Sequence, residues 1–371
     1  MNDALAADPY SPFKVVHHPD RLEQLRSGLQ PAPLQVHMVL SNRCNQRCSF
    51  CAYRRKGSTS SELFRPAGPG GRQGSRRSLE ISLHKCEEIL SDCVRMGIKA
   101  VQFTGGGEPL IHRDHAKVFV MAKELGLDIA LVTNGTLVTG ATLEALRGAA
   151  WVRVSLDAAS AETYAKVRGV RPELFQKALG AIRDLATLRD REKWQTIVGV
   201  GFVVIRENRH EIRDAVRLCR ELGADNVRIS GAFMPKGFAY HAPFFQEAKD
   251  QLAEAKRDFE ARGFRIFDLY DDRLCDLKEG SPSDPFCGYM HLVTYIGADL
   301  NVYRCCVLAY SRAGLVGSIA ERSFRELWES PEKQADFECF DARLCPRCMF
   351  NNKNRFMRYC ISRNPLHVNF V

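Results

Sequence analysis

The chain has 371 residues, 45% of them hydrophobic and 26% charged, with a formal net charge of +9. That length suits two domains, or one large domain with an appendage. No apolar run reaches the roughly 18 residues of a membrane-spanning helix. The first 33 residues carry Asp3, Asp8 and Asp20 without the apolar stretch of an export signal, so a cytoplasmic protein is expected and a membrane partner is not. The positive charge is mild: a solvated basic surface is the default, a phosphorylated substrate or an acidic electron donor is compatible with it, and nucleic acid is not expected. Of 14 cysteines, eight lie beyond Cys219. Without an export signal they read as thiolate–metal chemistry in a reducing compartment rather than as disulfides.

In chain order, residues 1–33 form an extension with one short helix around 21–29. Residues 34–40 are the first strand. A loop follows with Cys44, Cys48 and Cys51, spaced x3 and x2. Four thiolates would close the shell of a zinc ion or a cubane cluster. Three can grip a cubane and leave one iron open to a substrate or cofactor. The competing reading is half of a zinc site completed from elsewhere. Residues 56–78, rich in Gly, Ser, Pro and Arg, are a long loop. It is either a plain insertion, a basic lid or a docking site for an acidic reductase.

From residue 79 short strands alternate with helices. Strands are expected at 100–103, 129–132, 152–155, 196–205 and 226–230; helices at 83–96, 115–125, 141–146, after Ser160, at 173–188 and at 210–222. Cys86 and Cys93, a heptad apart on one apolar face, are core thiols. Six strands in βα units predict an α/β fold, a partial and open (β/α)6 TIM-like barrel. Past residue 231 the rhythm breaks. A charged helix at 244–262, a strand at 264–269, a turn-rich stretch at 275–285, a hairpin at 293–303 and a helix at 323–330 follow, the last capped by Ser323 with Glu326.

The strand ends carry polar groups. The second runs into Thr104-Gly105-Gly106-Gly107-Glu108-Pro109, where bare backbone can approach a ligand and Glu108 can accept from an ammonium. The third ends in Thr133-Asn134-Gly135-Thr136 and the fourth in Ser155-Leu156-Asp157. Each alone is helix-capping chemistry; together they ring one end of the sheet. Residues 230–241, with Arg228, Tyr240 and His241, belong to the open side, where ordinary surface or core duty is the simpler reading for each.

Taken together, Cys44-x3-Cys48-x2-Cys51 with Phe50 before the last cysteine resembles the signature of the radical S-adenosylmethionine (radical SAM) enzymes. Gly106-Gly107-Glu108 resembles their second-strand motif, which holds the methionine amino group. By the same resemblance Asn134, Ser155 and Asp157 lie around the cofactor, with Ser155 on the ribose, Arg168 near its carboxylate and Val200 against the adenine; alanine stands at 158 where the family has glycine. The resemblance covers roughly residues 34–235. It implies that a cluster with an open iron, held by Cys44, Cys48 and Cys51, reductively cleaves S-adenosylmethionine to a 5′-deoxyadenosyl radical that abstracts hydrogen from the substrate, with flavodoxin or ferredoxin as electron donor.

Cys287, Cys305, Cys345 and Cys348, with Gly317-Ser318-Ile319 and Phe324-x3-Trp328 between them, resemble the SPASM and twitch domains that bind auxiliary [4Fe-4S] clusters. Asn354 stands where a full SPASM domain has its next cysteine, which implies the shorter twitch type with one auxiliary cluster. Cys306 leaves the choice of ligand at 305 or 306 open. A second auxiliary cluster and zinc are further options. Cys275, Cys306 and Cys360 are candidate hydrogen-atom donors or electron relays, and Cys339 is left over. The expected division is an extension at 1–33, the barrel at 34–270 and the auxiliary domain at 271–371. The first functional reading is oxidation or epimerisation of a small molecule, such as a sugar, aminocyclitol or nucleotide. The alternatives are a maturase of a ribosomally made peptide, against which a 33-residue extension counts as too short for a leader-binding domain, and a non-enzymatic iron–sulfur or zinc protein.

Overall fold

The structure, a computed structural model, describes residues 9–64 and 80–363. Residues 65–78 of the basic loop read from the sequence lie outside the described residues. One sheet organises the chain: β1 (Gln35–Met38), β2 (Ala100–Phe103), β3 (Asp128–Thr133), β4 (Trp151–Ser155), β5 (Ile197–Val204), β6 (Asn226–Gly231), β7 (Arg265–Leu269), β8 (Val293–Ile296), β9 (Asn301–Tyr303) and β10 (Leu315–Ser318). The order is β10-β9-β8-β1-β2-β3-β4-β5-β6-β7. β1 to β7 are parallel neighbours. The six strands expected from the sequence are β1 to β6, and the sheet continues at both edges.

The two faces of the sheet differ because side chains alternate along each strand. Val36, Met38, Val101, Phe103, Val152, Val154, Val198 and Val200 are at most 1% exposed and face the helices. Helices Leu83–Arg95, His115–Glu124, Glu173–Glu192 and Ile212–Glu221 cover that face with Ile89, Phe119, Ile182 and Val216. Each such side chain contributes about 1.5–3 kcal/mol of burial. Cys86, Cys93 and Cys219 lie in this layer as buried thiols. The inner face is polar: Gln35 and His37 of β1, Gln102 of β2, Arg153 and Ser155 of β4, Gly201 of β5 and Arg228 of β6.

The expected hairpin at 293–303 is β8 and β9, which pair antiparallel. β8 also pairs in parallel with β1, Gln35 opposite Val293 and Met38 opposite Ile296. The strand that leads into the first cysteine loop is therefore bonded to the first strand of the hairpin that lies between Cys287 and Cys305. The N-terminal helix Pro19–Arg26 packs on helix Asn351–Ile361 through Leu22 and Met357. Ahead of it Tyr10 reaches the inner face, its ring 5.1 Å from that of Phe267.

Candidate active site

The first cysteine loop crosses the C-terminal ends of the strands and is clamped from three sides. From the glycine run, Gly107 N donates to Ser41 O (3.1 Å) and Glu108 N to Arg43 O (2.8 Å). A Cβ on Gly107 would lie 2.1 Å from Arg43 O, and one on Gly106 2.5 Å from the Phe64 ring, so no larger residue fits either position. From the end of β3, Asn134 Nδ2 donates to Asn45 Oδ1 (2.8 Å) and Asn45 Nδ2 to Thr136 Oγ1 (2.9 Å). From the end of helix Ala161–Arg168, Arg47 N donates to Arg168 O (2.8 Å), Ser49 N to Val167 O (2.9 Å), and Gln46 Nε2 to Tyr164 Oη (2.8 Å). Gly169 ends that helix at φ +62°, and a Cβ there would lie 2.6 Å from Arg47 O. Asn45, Gln46 and Tyr164 do not stand out in the sequence, because their partners lie 89 to 118 residues away.

Cys44, Cys48 and Cys51 are all partly exposed on this one loop. Burial pushes the Cys44 thiol up to about 12 and the Cys51 thiol up as well. A thiolate is costly there until a cation compensates it, which coordinated iron does. Arg168 Nη1 lies 3.4 Å from Cys48 Sγ and suits an anionic cluster. Three sulfurs on one fixed loop, with a guanidinium beside one of them, fit a cubane held from one side.

The remaining predicted cofactor residues fall around this loop. Glu108 is buried and accepts from Thr133 Oγ1 (2.6 Å), Asn134 N (2.8 Å) and Leu110 N (3.2 Å), with its carboxyl raised by burial. It braces the end of β3 as well as closing the glycine run. Asp157, at φ +59°, accepts from Val203 N (2.6 Å) and pairs with Arg168 Nη2 (2.6 Å) in a buried ion pair. Arg168 thus directs its fork at Asp157, Gln46 and Cys48, and its Nε is left without a partner. Ser155 lies on the inner face opposite Gly201. Val200 points the other way, fully buried among the core side chains, so that only its backbone faces the site; the inner surface of β5 is Gly199, Gly201 and Val203.

In the second cysteine region Cys287, Cys305, Cys345 and Cys348 line one small cavity together with Tyr289 and Asn354. Cys306 turns away from it, 4.0 Å from Met349 Sδ, into the field of Arg228 and Arg273. Asn354 Nδ2 lies 3.9 Å from Cys348 Sγ, and its Oδ1 accepts from Tyr289 N (2.9 Å). Among the described residues no three His, Cys, Asp or Glu side chains converge closely enough for a single metal ion. Cys275 and Cys339 are exposed, and Cys360 packs beside Leu22 and Met357. Tyr240 Oη accepts from Arg206 N (3.0 Å), and His241 Nε2 bonds Ala232 O (2.9 Å) within an aromatic cluster, so both serve the wall of the site. A cleft of about 370 Å³ opens beside the first cysteine loop, between Arg55, Arg206 and residues 234–240.

The family model of the Radical SAM superfamily matches residues 38–229, and that of the iron-sulfur cluster-binding domain SPASM matches residues 287–349. The AdoMet-dependent heme synthase of Methanosarcina barkeri is 28% identical over 325 residues, 81% of this chain and 83% of that protein. The mycofactocin maturase MftC of Mycolicibacterium smegmatis is 24% identical over 341 residues, 89% of this chain and 79% of that protein. The structure of Streptococcus suis SuiB bound to its precursor peptide SuiA superposes with a TM-score of 0.61 at 14% identity, over 90% of this chain and 73% of that one, which shows a shared fold. No helix among the described residues is long and apolar enough to cross a membrane.

Proposed function

Because the chain belongs to the radical SAM superfamily, we propose that it uses S-adenosylmethionine to modify a peptide, with its C-terminal domain handling an electron. The superfamily's domain implies a [4Fe-4S] cluster with S-adenosylmethionine, and the SPASM domain implies auxiliary iron–sulfur clusters. When bound, the first cluster and S-adenosylmethionine supply hydrogen-atom abstraction from an unactivated carbon. Cys44, Cys48 and Cys51 are the residues that would hold that cluster. Gly106 and Gly107 let the cysteine loop pack closely on the end of β2, Ser155 and Gly201 line the floor next to it, and Arg168 steadies Cys48. Cys287, Cys305, Cys345 and Cys348 would hold the auxiliary cluster.

The observation that carries this reading is the wall between the two cysteine regions. Cys306 and Arg347 belong to the auxiliary side, yet their neighbours are Arg228, Arg273 and Phe233 of the barrel side. A substrate radical on the inner face is therefore close to a place where its electron can go. The peptide substrate is supported by the likeness to a maturase, MftC, over most of both chains. That likeness favours a peptide over the sugar, aminocyclitol or nucleotide substrate expected from the sequence. A second reading, a heme-type small molecule, has its own support in the match to the heme synthase across 81% of the chain.

The test is anaerobic turnover with dithionite and a short peptide encoded beside this gene. Production of 5′-deoxyadenosine should rise when that peptide is added, and the peptide's mass should change. Alanine at Cys44, Cys48 and Cys51 together should abolish both. Persistent 5′-deoxyadenosine from the triple variant would remove the radical assignment, whereas wild-type stimulation only by a porphyrin would move the substrate to the second reading.

A further inference from the structure

We propose that the inner face of the barrel is a carboxylate-recognition chamber, in which Arg153, Arg228, Arg273 and Arg347 receive a substrate bearing at least two carboxylates. The proposal rests on the reading above of the inner face as the substrate site. It names the chemistry the substrate presents.

The four arginines come from distant parts of the chain: β4, β6, helix Tyr270–Glu279 and the turn between Cys345 and Cys348. They form two pairs, each sharing one aromatic ring. The guanidinium of Arg153 lies 5.5 Å and that of Arg228 5.4 Å from the Tyr10 ring. The guanidinium of Arg273 lies 4.1 Å and that of Arg347 5.0 Å from the Phe233 ring. Arg153 Nη2 donates to Tyr10 Oη (2.7 Å), and Arg228 Nε is buried without a partner. Among the described residues no carboxylate lies within ion-pair distance of any of the four. The nearest in effect is Asp276, which acts on Arg273 from a distance and accepts from Asn351 Nδ2 (2.9 Å).

This arrangement is costly as it stands. Burial, and after it the charge of Arg228, pushes Arg153 down to about 10 and Arg273 down to about 9; burial lowers Arg347 as well. Arginine remains charged at physiological pH, so the direction of those shifts reflects like charges held close together without a carboxylate paired to them, Arg273 buried and the other three half-buried. Surface arginines of the same chain do find carboxylates, as Arg213 finds Asp258 and Arg209 finds Glu247. A fork of N–H donors matches a carboxylate edge on, and two forks per ring give each pair room for one such group. The aromatic faces hold the guanidiniums in place by cation–π contact without neutralising them. The cleft beside the first cysteine loop carries the same sign of charge, with Arg55, Arg206 and Lys236 against Glu207, and positive charge of that kind attracts an acidic substrate.

Carboxylates reach such a chamber from an acidic peptide or from a small polycarboxylate, and the experiment separates the two. Reconstituted holoenzyme is titrated anaerobically with hexaglutamate against hexaglutamine, and with protoporphyrin IX against its dimethyl ester. At least one acid should bind about 10- to 100-fold more tightly than its neutral partner, as expected when charge-assisted hydrogen bonds are at stake. Arg228→Gln and Arg273→Gln should each reduce that preference about tenfold, while Arg228→Lys should retain part of it. Iron content measured on every variant separates lost recognition from a failed fold. Preference for hexaglutamate supports both the chamber and a peptide substrate. Preference for the porphyrin alone supports the chamber and removes the peptide. If neither acid is preferred by the wild-type enzyme, or if the preference survives in iron-replete Gln variants, the chamber is overturned whatever the enzyme modifies.

Discussion

At Gly107 a single missing methyl group decides whether the first cysteine loop can close. A Cβ there would lie 2.1 Å from Arg43 O and 2.6 Å from Ser41 O, both of them backbone atoms that cannot swing aside. Gly107→Ala should therefore dislodge the loop and lose its cluster, lowering iron from about eight to about four per chain while the auxiliary cluster survives. Iron and sulfide analysis of the anaerobic protein checks this; a variant with full iron would show that the loop has slack. The cysteines were legible because thiolate ligation demands a residue type at a fixed spacing. The clamp was not, since Asn45 with Asn134 and Gln46 with Tyr164 are long-range pairs of ordinary polar residues. Val200 shows a different limit. A strand reverses face at every residue, so a motif carried over to within one position selects Val200, which is in the core, instead of Gly201, which is on the floor.

Two neighbouring thiols in the irregular turn just past β9 are sent to different places. Cys305 enters the cavity with Cys287, Cys345 and Cys348, and Cys306 faces Met349 and the arginines. Cys305→Ala should cost about four irons per chain, and Cys306→Ala none. The converse result would exchange their roles. Asn354 lies on helix Asn351–Ile361, in the place expected for a third cysteine, and its amide joins Tyr289 N to Cys348 Sγ. It keeps the ligand turn in register without being a thiol. Most elements were legible here: periods of two and of 3.6 residues placed β1 to β6 and the helices between them. The partner of β8 was not, because its four residues Val293–Ile296 read as half of a hairpin and nothing local in them points to β1.

Across the whole molecule, that parallel pairing joins both cysteine regions through one sheet, which should make them unfold as one unit. Tyr53, just past Cys51, bonds Tyr295 of β8 through their hydroxyls (2.9 Å), and Tyr310 Oη donates to Asn42 Oδ1 (2.5 Å). Loosening the auxiliary side should therefore be felt in global unfolding, and His291 provides the handle. It is buried, with Phe286 and Phe337 against its ring, and burial with the nearby charge of Lys333 holds its imidazole down at about 4. The folded protein thus keeps His291 neutral, while in the unfolded chain it takes a proton near its ordinary value of 6.5. Its contribution to stability is complete above pH 6.5 and is lost progressively as pH falls towards 4. From pH 7 to pH 5 that loss is about 2 kcal/mol. His291→Phe keeps an aromatic ring between the same neighbours and removes the titration. In urea unfolding of the anaerobic holoenzyme, the variant should lose about 2 kcal/mol less than wild type between those two pH values. Equal losses would show that acid attacks the fold elsewhere. A second transition appearing only in the auxiliary region would show that the β1–β8 seam does not bind the two halves into one unit.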